Sequence, residues 1–118
     1  MDDFTRQYLA TALWSSNDES DESGGEPMDR NFEIEDIDAD TVAAAQADCN
    51  RFRELAGKLL NENADDTMGA HDFWLTRNGH GAGFWDGDWP EGGESLTAIS
   101  EAFGEVNLYI GDDGKIYS

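Results

Sequence analysis

The stretch from His71 to Asp86 constrains the fold more than any other part of the chain. Phe73 and Leu75 alternate with Trp74 and Thr76, Phe84 alternates with Trp85, and Asn78-Gly79 lies between the two runs. An Asn-Gly dipeptide flanked by alternating apolar residues is a strong hairpin signal, because the tight turn needs positive φ at its central positions. The stretch therefore predicts two aromatic strands folded back on each other. A two-residue turn at Asn78-Gly79 sets Trp74 opposite Gly83, and a four-residue loop through Gly81 sets it opposite Trp85. In either register Phe73, Leu75 and Phe84 share one face and the two tryptophans the other. Two apolar faces call for cover on both sides, or for one face left to a partner.

The rest of the chain supplies that cover. Asp2 or Asp3 caps a first helix running to about Trp14, with Phe4, Tyr8, Ala12 and Leu13 near one face. Residues 15–30 read as an acidic, solvated and mobile loop. Phe32, Ile34 and Ile37 then anchor a short extended piece or helical turn, with its acids pointing outward. Asp38 or Asp40 caps the longest helix, about Thr41 to Asn61, where Val42, Ala45, Cys49, Phe52, Leu55, Ala56, Leu59 and Leu60 recur at spacings of three and four. After the hairpin, residues 86–93 form a turn-rich loop and a helix runs from about Glu94 to Phe103, stopped by Gly104. Val106, Leu108 and Ile110 alternate as a strand, and Gly111-Asp112-Asp113-Gly114 turns it back into Lys115-Ile116-Tyr117. The fold class expected is α+β, in the order α-α-β-β-α-β-β: about four antiparallel strands in two hairpins, packed with three helices. Residues 1–118 read as one domain.

Charge narrows the partners. The chain has 27 acidic and 7 basic residues, a net charge of −20. Both halves share it: residues 1–59 hold 15 acids and 5 bases, residues 60–118 hold 12 and 2, so each nets −10. The densest part is residues 15–40, with 11 acids against Arg30 alone. Such a chain repels nucleic acid and anionic membranes and attracts basic surfaces. Only two lysines are present, Lys58 and Lys115, and Asp outnumbers Glu, a composition that also suits the solvation of proteins in salt-loving cells. No apolar run approaches the ~18 residues of a membrane span, and Met1-Asp2-Asp3-Phe4 is acidic where a signal peptide is basic. The expected location is the cytoplasm of the host cell.

Candidate chemistry is sparse. Asp86, Asp88 and Glu91 begin like a calcium loop, but Pro90 falls on the third ligand position and Glu91 where the sharp turn wants Gly. Asp112 and Asp113 suit a hairpin turn better than a metal. His71 and His80 lack a third convergent ligand. Cys49, the one cysteine, allows no internal disulfide and lies on an apolar helix stripe, where a thiol acts as a small hydrophobe. No nucleophile elbow, phosphate loop or dinucleotide fingerprint is present. The expectation is a protein that is not an enzyme, with no catalytic residue, metal or cofactor.

The run HDFWLTRNGHGAGFWD, with ALWSS upstream and GEVNLYIGDDGKIY downstream, resembles a group of small acidic proteins encoded by phages and other mobile elements of bacteria and archaea. The resemblance spans most of the chain and transfers no catalytic residue. It implies action inside an infected cell and interference with host machinery. Together with the charge, it sets the expected function: acidic mimicry of DNA that occupies a host nucleic-acid-binding protein of restriction or CRISPR type, without binding nucleic acid directly. The residues expected to meet the partner's basic surface are Asp18, Glu19, Asp21, Glu22, Glu33, Glu35, Asp36 and Asp38, with Trp89 as an aromatic anchor. The alternative is a small accessory or structural phage protein whose acidity only adapts its surface to salt.

Overall fold

The computed structural model describes residues 2–18, 26–57, 66–79, 84 and 93–118. Among these the fold is mainly helical: α1 (Asp3–Ser15), α2 (Ala39–Ala56), α3 (Asp66–Arg77) and α4 (Gly93–Ala102). Two-residue strands form two separate antiparallel ladders, β1 (Asn17–Asp18) with β2 (Glu26–Pro27) and β3 (Tyr109–Ile110) with β4 (Ile116–Tyr117). Single turns of 3-10 helix at Met28–Arg30 and Ile34–Asp36 lead into α2. Of the acidic loop expected over residues 15–30, residues 19–25 lie outside the described residues, and the flanks pair through Asn17↔Pro27 and Asp18↔Glu26.

The expected α+β architecture is overturned at the central stretch. Asp66 to Arg77 is one helix, so neither hairpin register applies, and among the described residues the strands fall in two separate two-stranded ladders instead of one sheet. Ala70, Phe73, Trp74 and Arg77 follow the i, i+3, i+4, i+7 pattern of one helical face, and Asp72, Leu75 and Thr76 are buried as well. A helix enclosed on nearly every side shows no polar stripe, and over four residues its sequence is indistinguishable from strand alternation. Asn78-Gly79 ends the helix. Gly79 has φ +72° and donates its N–H to the Thr76 carbonyl at 3.1 Å, and Asn78 N donates to the Trp74 carbonyl at 3.3 Å. A helix stop and a tight hairpin turn both draw on the same left-handed preference of glycine. Asn78 also fastens the stop to the chain beyond α4: its Nδ2 donates to the Trp74 carbonyl at 2.9 Å and its Oδ1 accepts from Val106 N at 2.8 Å.

The other helices form close to where their signals lie, except that α2 ends at Ala56, where Gly57 takes φ +50°, short of the expected Asn61. Asp2 caps α1, its Oδ1 accepting from Thr5 N at 2.9 Å, and Asp38 caps α2, its Oδ2 accepting from Asp40 N at 3.0 Å and Thr41 N at 3.4 Å. Gly104, at φ +77°, stops α4. The β3–β4 turn falls on Gly111 to Gly114, with Gly111 N donating to the Lys115 carbonyl at 2.8 Å. The strand expected from Val106 is shorter, at Tyr109–Ile110.

The core is an aromatic stack. Phe52 of α2 lies face to face with Phe73 of α3, centroids 4.1 Å apart and planes 9° from parallel. Phe84 and Phe4 pack on Phe52 at 5.8 and 6.3 Å, and Phe103 meets Phe73 edge-on at 5.0 Å. Trp74 turns its edge to Tyr8 at 5.4 Å and gives its indole N–H to Ser15 Oγ at 2.6 Å. Each buried phenylalanine contributes roughly 1.5–3 kcal/mol, and favourable ring pairs about 0.5–1.5 kcal/mol more.

Candidate partner-binding surface

Where the positive charge goes decides what the surface presents. Four arginines stand in ion pairs among the described residues: Arg6–Glu35 at 4.0 Å, Arg51–Glu54 at 3.3 Å, Arg53–Asp2 at 3.2 Å and Arg77–Asp48 at 2.9 Å. Arg77 is a structural cation. Its side chain is 3% exposed. Nη1 donates to Tyr8 Oη at 3.0 Å and to Asp48 Oδ2, while Nε and Nη2 donate to the carbonyls of Gly104 at 2.8 Å and Phe103 at 3.1 Å. The guanidinium also lies 5.4 Å from the ring centroids of Phe73 and Phe103. One side chain thus joins α1, α2 and α3 and completes the C-terminal end of α4, where free carbonyls attract a cation. Burial pushes the Tyr8 hydroxyl well above the ordinary range despite the adjacent Arg77.

Several carboxylates face outward. Glu33 and Glu35 are exposed on the 3-10 turn before α2, and Asp40 on the first turn of α2. The Asp36 carboxylate accepts from Glu33 N at 2.8 Å, and Asp38 is the α2 cap, so these two hold local backbone as well as carrying charge. The same end of the molecule includes the β3–β4 hairpin, because Asp38 N donates to the Ile116 carbonyl at 2.8 Å and Ile37 bridges Ile116 in parallel. The hairpin adds exposed Asp112 and Asp113, and a tyrosine pair.

Tyr109 and Tyr117 stack across the ladder with centroids 5.8 Å apart, and Tyr109 is 55% exposed. Tyr117 donates its hydroxyl to Asp113 Oδ2 at 2.5 Å, and Asp113 Oδ1 accepts from Lys115 N at 3.0 Å. The bond to Asp113 raises the Tyr117 hydroxyl to about 12, with the Asp113 and Asp38 charges acting in the same direction, and the bond from Tyr117 lowers the Asp113 carboxyl. Gly111 makes the arrangement sterically feasible: a Cβ there would lie 2.5 Å from Tyr117 Cε2.

Of the residues expected to meet a partner, Glu33, Glu35, Asp36 and Asp38 come together on one short segment. Asp18 lies in β1, and Glu19, Asp21, Glu22 and Trp89 lie outside the described residues. Arg6 reaches Glu35 and partly offsets that end of the patch, although both side chains are more than half exposed and the pair is worth little. Sequence reasoning placed the aromatic anchor at Trp89 and passed over Tyr109 and Tyr117. Their signal was that Tyr109 and Tyr117 each lie four residues from Asp113, so a hairpin centred there makes them cross-strand partners.

Among the described residues no group of three His, Cys, Asp or Glu side chains is arranged to hold a metal ion. Cys49 is fully buried, and burial pushes its thiol up to about 12. Among the described residues no helix is long and apolar enough to cross a membrane. No protein-family model, curated protein or solved structure matches the chain.

Proposed function

We propose that the chain is a non-enzymatic protein of a phage or other mobile element that acts in the cytoplasm of the host cell. There its acidic surface occupies the nucleic-acid-binding face of a host protein of restriction or CRISPR type. The carrying observation is the distribution of charge: Arg77 turns inward, and Arg6, Arg51 and Arg53 pair with carboxylates. Glu33, Glu35, Asp40, Asp112 and Asp113 stand exposed on the segment entering α2 and on the β3–β4 hairpin, which is joined to that segment through Asp38 and Ile116 and carries the Tyr109–Tyr117 pair. Exposed aromatic rings inside a charged rim suit an interface anchor. The charge density also supports the reading. Duplex DNA carries one charge per ~1.7 Å of axis. The molecule is 43 Å long, and that length of duplex would carry about 25 charges. The chain's net −20 over the same length is comparable.

A second reading, salt adaptation of an accessory phage protein, draws on the two-lysine composition. It assigns the carboxylates to solvation and requires no partner. Affinity capture from host lysate with the tagged protein, followed by challenge with duplex DNA, separates the two. Under the proposal a nucleic-acid-binding protein is retained and DNA releases it, and Glu33→Gln with Glu35→Gln lowers its recovery. Retention of nothing, or of proteins that DNA does not displace, contradicts the proposal.

A further inference from the structure

A cleft of about 50 Å³ opens beside the helical layer, between the α2 face carrying Ala44 and Asp48 and the extended segment that runs through Val106 and Leu108. Leu9 and Trp74 also line it. The walls are mainly apolar, with Tyr8, Thr41 and Ser118 among the lining residues, and they include Asp48, whose side chain is 39% exposed and whose Oδ2 is held by Arg77 at 2.9 Å. Among the described residues Asp48 Oδ1 takes no hydrogen bond.

We propose that this cleft receives one lysine side chain from a basic protein segment, its methylenes against Leu9, Trp74, Val106 and Leu108 and its ammonium at Asp48 Oδ1. The inference rests on the functional reading above and names the chemistry the partner brings. An unbranched four-carbon stem with a cationic tip suits a mainly apolar cleft with the Asp48 carboxylate in its wall. A purely apolar side chain would bury Asp48 Oδ1 without a donor, which is unfavourable. An arginine fork is a poorer match, because its planar donors call for a bidentate acceptor and Arg77 already holds one oxygen. The carboxylate stands between Arg77 and the incoming ammonium, so the two cations share one anion, and the surrounding net charge of −20 favours the second.

Hexalysine is the probe, titrated calorimetrically at low salt and followed by amide chemical shifts in the full chain. In the wild-type protein, hexalysine is expected to shift the amides of Ala44, Val106 and Leu108. Ala44→Phe fills the mouth of the cleft from an exposed helical position and leaves the net charge unchanged. It is expected to weaken hexalysine binding roughly tenfold or more and to abolish those shifts. Equal affinity in Ala44→Phe, or wild-type shifts confined to residues 33–40 and 109–113, overturns the cleft while leaving the acidic surface as a binding site. Absence of any hexalysine binding to the wild-type protein overturns the broader reading as well.

Discussion

Arg77 is the residue on which most of the described fold converges. Removing it strands the Asp48 carboxylate, the Tyr8 hydroxyl and two carbonyls at the end of α4. Arg77→Ala is therefore expected to cost about 3–5 kcal/mol, the usual range for breaking a buried pair from one side. Chemical denaturation measures it, and Arg77→Met combined with Asp48→Leu should recover part of the loss, since it leaves no stranded charge. Asp2 acts at lower stakes. Burial pushes its carboxyl up, but hydrogen bonds from Thr5 and Gln46 and the Arg53 charge together hold it below its ordinary value. A depressed carboxyl stabilises the fold above its unfolded value, and that contribution is lost as pH falls through the lower folded value. Acid melting should therefore show Asp2 contributing down to below about pH 4, and Asp2→Ala should cost about 1 kcal/mol at neutral pH through the lost cap. Cys49, buried and with its thiol raised to about 12, should resist thiol reagents at pH 8 until the protein is denatured. Rapid labelling of the native protein would contradict its place in the core.

At the scale of elements, the lesson lies in which signals are local. Asp2 and Asp38 as caps, Gly104 as a stop and Gly111-Asp112-Asp113-Gly114 as a turn were legible because each is decided by a few neighbouring backbone groups. The conformation of residues 71–79 was not, because Phe73, Trp74, Leu75 and Thr76 are all buried on one helix and the surrounding core, absent from local sequence, supplies the deciding contacts. The i, i+3, i+4, i+7 set ending at Arg77 was the available helical signal, and the alternation from Phe73 to Thr76 ahead of Asn78-Gly79 masked it. Two glycine substitutions test these assignments. Gly79→Ala is expected to destabilise by about 1 kcal/mol with helix content by circular dichroism largely retained, since it strains a stop rather than the helix itself. Gly111→Ala should displace the Tyr117 ring, visible as the loss of cross-peaks between the Tyr109 and Tyr117 rings, while α1 to α4 remain folded.

For the whole molecule the question is whether −20 of charge serves a partner or the solvent. The partner-facing acids were only partly legible: Glu33, Glu35, Asp36 and Asp38 could be read as a cluster, but two of them double as backbone caps, and the tyrosines beside them were visible only once the ladder was paired. Cohesion comes from the Phe52–Phe73 stack and the Arg77 network, both of which lie inside the fold and neither of which needs salt to hold. Carboxylate repulsion lowers stability as screening is removed, yet a core of this kind should withstand it. The most direct measurement is thermal melting followed by circular dichroism from a few millimolar to molar sodium chloride. A cooperative transition at the lowest salt, rising only modestly as salt is added, is the expected result and leaves the acidic surface free for a basic partner. A chain that is unfolded at low salt and folds only toward molar salt would contradict it and assign the carboxylates to the solvent.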